Sequence, residues 1–127
     1  MKKTYLILAL TFSCSSALAA NENELEQKLP LTFKIATNPQ KSGLCIAANS
    51  VLGNEISDFR ESSKQINSVL WAVVEEKQGK AKADITEQIA NEHASAMKYN
   101  IDWTISQMKS NGCSEVNREI SAFLGGN

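Results

Sequence analysis

Residues 84–113 read DITEQIANEHASAMKYNIDWTISQMKSNGC, a stretch with no proline and no glycine before its penultimate position. Placed at 100° per residue, its apolar side chains fall in two rows: Ile85, Ile89, Ala96 and Trp103 form one, and Met97, Ile101, Ile105 and Met108 form the other. The polar residues His93, Asn100 and Thr104 run between them. Two apolar rows on either side of a polar line suit a helix that touches two neighbours, so the pattern predicts one long central helix. It starts at Asp84, whose carboxylate is an N-cap with Glu87 at capping-box spacing. It ends at Asn111-Gly112, where both residues tolerate the left-handed conformation. At 1.5 Å per residue it would be about 42 Å long.

Working outward, Glu55–Gln78 predicts a second helix with Ile56, Phe59, Ile66, Leu70 and Val73 on one stripe, widened by Val69 and Val74. Ser63 fills a skipped position in that stripe and leaves a slot for a bulky neighbour. Gly79 reads as the C′ residue, with Lys77 suited to the negative end of the helix dipole. Before it, Ser42–Leu52 predicts a helix with Ser42 as N-cap and Leu44, Ala48, Val51 and Leu52 on one face, ended by Gly53-Asn54. After the long helix, Ser114 caps a short one, Glu115–Leu124, with Val116, Ile120, Phe123 and Leu124 inward. Residues 20–41 contain Pro30 and Pro39, and Leu31–Ile35 alternates like a strand. No second strand follows to pair with it, so this segment is expected to be an extended arm or an irregular turn of helix, with its apolar side chains on the bundle surface.

The predicted fold class is therefore all-α: a small, disulfide-stapled bundle of about four helices with an irregular N-terminal arm. Its segments are a cleaved signal peptide over 1–19, the arm over 20–41, the bundle over 42–124 and a tail over 125–127. With 127 residues, 43% hydrophobic and 21% charged, the chain has room for one core.

The signal peptide rests on the basic start Lys2-Lys3, the apolar run from Thr4 to Phe12, and Ala17-Leu18-Ala19, an A-x-A cleavage pattern. The apolar run is shorter than the roughly 20 residues a membrane-spanning helix needs, and no later stretch approaches that length. Cys14 invites a lipoprotein reading, but Thr11-Phe12-Ser13 before it lacks the Leu or similar residue that a lipobox places three before its cysteine, and the bulky Phe12 argues against lipidation. The expected destination is the periplasm or exterior of a Gram-negative cell. Removal of 1–19 takes Lys2, Lys3 and Cys14 out of 13 basic residues, 14 acidic residues and 3 cysteines. The mature chain then carries 11 basic and 14 acidic residues, a net charge of −3, and two cysteines. With no basic stripe for phosphates, a nucleic-acid partner is not expected. Two cysteines in an oxidising compartment predict one disulfide, Cys45–Cys113, with a structural role because no C-x-x-C spacing is present.

Catalytic signatures are absent: the sequence has no G-x-S-x-G elbow, no H-E-x-x-H and no glycine-rich phosphate loop. Glu75-Glu76 and Glu115/Glu119 are carboxylate pairs on faces expected to be solvated. His93 and Met97 have the four-residue spacing of a soft metal pair, but the mature chain adds only Met108, and C-x-x-C-H is missing, so neither metal nor cofactor is expected. The candidate polar interior is His93, Asn100 and Thr104. Trp103 is expected in the core, whereas Trp71 lies off its helix stripe and is the candidate interface residue. The expected role is a non-enzymatic, protein-binding exported protein, inhibitor-like or immunity-like. The alternatives are a small-ligand or metal carrier built around His93, or a structural envelope component.

Overall fold

A computed structural model describes residues 23–126 of the chain. The expected signal peptide, Cys14 and Asn127 lie outside the described residues. Six helices follow one another among those described: α1 (23–28), α2 (Pro30–Ala36), α3 (Pro39–Glu55), α4 (Arg60–Met97), α5 (Ile101–Ser110) and α6 (Cys113–Ser121). A 3-10 turn, Ser57–Phe59, leads into α4, and a π turn, Ala122–Gly126, follows α6. No strand occurs among the described residues, so the fold is all-α, with six helices in place of the four expected.

The helix the others surround is α3, not the 84–113 stretch. Every residue from Ser42 to Asn49 is buried, as are Val51, Leu52 and Gly53. A helix enclosed on all sides needs small side chains where neighbours cross it, and α3 supplies Ser42, Gly43, Ala47, Ala48 and Gly53. Gly53 faces Ser63 so closely that an added Cβ would lie 2.1 Å from the Ser63 hydroxyl oxygen. At the other end, a Cβ on Gly43 would lie 2.8 Å from Ile89 Cγ2 and 3.1 Å from the Thr86 carbonyl oxygen. The slot at Ser63 thus takes a glycine backbone, not a bulky side chain.

These two contacts put both halves of α4 against α3, which requires α4 to fold. It does so at Gly79, whose φ of 79° and ψ of 165° are open to glycine and strained for other residues. Residues 78 and 86 would stand about 12 Å apart along a straight axis. Instead the Thr86 hydroxyl donates to Gln78 Oε1 at 2.8 Å, while Gln78 Nε2 donates to the Ala36 carbonyl. Gln78 therefore ties α2 to both sides of the bend. The predicted boundary at Gly79 is observed, but helix resumes at once through residues 80–83, and Asp84 lies inside it.

The predicted single helix over 84–111 is interrupted at Lys98–Asn100. Asn100 adopts φ −151° and ψ 91°, and its side chain accepts the Trp103 N–H at 2.9 Å, starting α5 afresh. Asparagine competes with the helix for backbone partners and is among the strongest N-caps, which is why the break falls there. The new start changes the angular phase, and the two expected rows separate. Met97 and Met108 are buried and Ile101 and Ile105 pack on the core, whereas Ile85, Ala96 and Trp103 are exposed. One row is a core face and the other is largely surface.

The expected surface arm is also part of the bundle. Proline at the first position of both α2 and α3 fits helix starts. Leu29, Thr32, Phe33, Ile35 and Ala36 are buried, so the apparent alternation of Leu31–Ile35 is one face of a helix. Asn38, not Ser42, caps α3 by accepting the Lys41 N–H at 3.1 Å. At the far end of α3, Arg60 donates to the carbonyls of Gly53 and Asn54 at 3.3 and 3.1 Å, which completes acceptors the helix end leaves open. The predicted stop at Asn111-Gly112 is observed, with Gly112 at φ 79° and ψ 11°. Val116 and Ile120 are buried as expected, but Leu124 is 43% exposed because the π turn shifts it off their stripe.

Candidate interaction surfaces

The disulfide joins Cys45 of α3 to Cys113 of α6, with Cα atoms 5.4 Å apart. Its partners are 68 residues apart, and closing a loop of that size removes about 4 kcal/mol of unfolded-state entropy in the chain-entropy model. One helical turn further on, the same two helices meet again. Asn49 Nδ2 donates to Asn117 Oδ1 at 3.1 Å, and Asn117 Nδ2 donates back to Asn49 Oδ1 at 2.7 Å. Asn49 also donates to Asn67 Oδ1 at 3.0 Å, and Asn67 donates to the Ile46 carbonyl and the Ser50 hydroxyl, each at 3.1 Å. Three asparagines from α3, α4 and α6 thus form a satisfied polar knot that runs from the buried Asn49 and Asn117 out to the half-buried Asn67. The disulfide and the amide pair advance in the same sense along both helices, so α3 and α6 run parallel here.

The expected polar interior does not come together as one face. Thr104 is fully buried, and its hydroxyl donates to the Met97 and Asn100 carbonyls at 3.1 and 2.8 Å, locking the α4–α5 corner. Asn100 is exposed and occupied as the α5 cap, and His93 is half-buried on α4. Glu119 does not stand on a merely solvated face. Its carboxylate accepts the Leu31 N–H at 3.0 Å and both the N–H and the hydroxyl of Thr32 at 2.8 Å. It caps α2 from a distant part of the chain, where the residue before α2, Leu29, has no side chain able to do so. Among the described residues, no group of three or more His, Cys, Asp or Glu is placed to hold a metal ion.

Of the two tryptophans, only Trp103 departs from the place expected of it. Trp71 is half-buried and packs against the core cluster, whereas Trp103 is 40% exposed in the first turn of α5. Tyr99, two residues after α4 ends, is 81% exposed, with the Lys98 ammonium 5.1 Å from its ring centroid. The same break that starts α5 therefore projects two large aromatic side chains at one corner of the bundle.

A second surface feature is a groove of about 570 Å³ between α2, the first turn of α3 and the α5–α6 turn. Lys34, Lys41 and Lys109 line it, with Glu115 the acidic residue on its wall and Leu31, Ile35 and Val116 its apolar lining. No helix among the described residues is long and apolar enough to cross a membrane. The chain matches no family model, and no curated protein or solved structure is significantly similar to it.

Proposed function

We propose that this chain is an exported, non-enzymatic protein-binding protein, inhibitor-like or immunity-like, that grips its partner with the α4–α5 corner. The observation that carries this reading is the exposure of Tyr99 and Trp103 at one turn, 81% and 40% respectively. Tyrosine and tryptophan bring large, stiff, amphipathic surfaces to an interface and are enriched among residues that dominate binding energy. The corner is held in shape by the Asn100 cap and the Thr104 hydroxyl, so little order has to be created on binding. Export is supported by the leader-like first nineteen residues and by the Cys45–Cys113 bond, a feature of oxidising compartments. A carrier built around His93 has less support, because Asn100 and Thr104 are already engaged in holding the corner.

The test is affinity capture from periplasmic extract on immobilised mature protein, comparing wild type, Trp71→Phe and the double variant Tyr99→Ser/Trp103→Ser. A protein retained by the first two and lost by the double variant is the expected result. Equal retention by all three removes the corner from the interface.

A further inference from the structure

We propose that the lysine-lined groove is a separate binding site for an acidic peptide segment bearing an apolar side chain, supplied by a partner protein. The mature chain is net acidic, with 14 carboxylate residues against 11 basic ones, yet three of those basic residues converge on this one groove. Lys34 and Lys109 stand in the last turns of α2 and α5, where the helix dipole favours a cation. Lys41 does not have that explanation. It lies in the first turn of α3, at the positive end of the dipole, in a turn with no acidic residue. A cation placed against the dipole leaves a local positive field that an incoming carboxylate relieves.

The rest of the wall suits a peptide better than a simple anion. Asn38 uses its Oδ1 on the Lys41 N–H, which leaves its amide donors available, and Asn111 uses its Nδ2 on the Gln107 carbonyl, which leaves its Oδ1 as an acceptor. A donor and an acceptor among the lining side chains can each pair with a C=O or an N–H group of an extended backbone. Leu31, 44% exposed beside the lysines, offers contact to an apolar side chain. The groove volume falls in the range of about 300–1,000 Å³ typical of ligand sites. Glu115 is the one carboxylate on this wall and sets a charge preference that can be strengthened by removing it.

The proposal is independent of the aromatic corner and is tested with the disulfide-intact mature protein by fluorescence anisotropy. The probe is a fluorescein-labelled pentapeptide alternating glutamate and leucine. Comparison peptides carry lysine for glutamate, or serine for leucine, and a single-stranded oligothymidylate serves as a non-peptide polyanion. The glutamate–leucine peptide is expected to bind, more weakly as salt rises, and the lysine version is expected not to. Lys41→Glu/Lys109→Glu should lose about tenfold or more in affinity, and the milder Lys41→Gln/Lys109→Gln should lose less. Glu115→Gln should tighten binding, and Tyr99→Ser/Trp103→Ser should leave it unchanged, which separates this site from the corner. All these positions are exposed, and circular dichroism melts are expected to match wild type. Absence of binding by the glutamate–leucine peptide, or unchanged affinity in the charge-reversed variant, would overturn the proposal. So would equal binding of the serine peptide or the oligonucleotide, which would make the groove a general polyanion surface.

Discussion

Asn49 and Asn117 stand four residues beyond Cys45 and Cys113, so each helix offers the other a sulfur and then an amide on the same face. The covalent rung fixes which helices meet, and the amide rung fixes their rotation, because each asparagine finds both a donor and an acceptor only in this register. Removing one partner leaves the other buried with unmade bonds. Asn49→Ala is therefore expected to lower the unfolding free energy by about 1–3 kcal/mol in urea denaturation. Asn117→Ala should cost a similar amount, and the double variant should cost less than the two combined, by about 0.5–3 kcal/mol. Strict additivity would show that the two amides do not act as a pair. A trace of this pairing stands in the sequence, since Cys-x-x-x-Asn occurs at 45–49 and again at 113–117. Asn67 carries no such mark, because its place is set by where α4 crosses α3.

At the level of elements, helix type and several ends were legible, whereas helix continuity was not. The stop at Gly112 and the break at Gly79 follow from backbone freedom that a lone sequence displays. The break at Asn100 is harder to see. Apolar periodicity from Ile85 to Met108 outweighs one cap residue when the two are set side by side, yet in the fold the cap prevails, with the Asn100 side chain taking the Trp103 N–H. His93 lines up with Asn100 and Thr104 only if one helical phase runs unbroken through residues 98–100. The α2 segment does not read as a regular helix for a different reason: its N-terminal acceptor is Glu119, 87 positions away from Thr32. Glu119→Ala is expected to destabilise the fold by about 0.5–2 kcal/mol, the range for a lost N-cap. It should also speed hydrogen exchange at the Leu31 and Thr32 amides, while Glu115→Ala leaves both unchanged. Exchange rates at those amides unaffected by Glu119→Ala would rule out the long-range cap.

Across the whole molecule, the arrangement is a small-residue helix wrapped by larger ones. α3 touches α2, α4 and α5 through packing and α6 through the disulfide and the asparagines. Its glycines at both ends let the two halves of α4 close over it. The sequence pointed elsewhere because hydrophobic periodicity is strongest in helices with one wet face and weakest in a helix buried all round, which shows no contrast. Gly43, Ala47 and Ala48 carry little apolar weight and yet are buried. The surfaces left free by this packing, the aromatic corner and the lysine groove, are set by the ends of helices and not by their faces, so no stripe or motif announced them.

The centrality of α3 is tested most directly by native-state hydrogen exchange on the disulfide-intact protein comprising residues 20–127. Amides opened only by global unfolding mark the most protected part of a fold. The account predicts that the amides of Ala47, Ala48 and Asn49 exchange slowest, at the rate set by global unfolding, and that those of Gln88 to His93 exchange sooner through partial opening. Slowest exchange in the 84–97 segment, with α3 opening before it, would contradict the account.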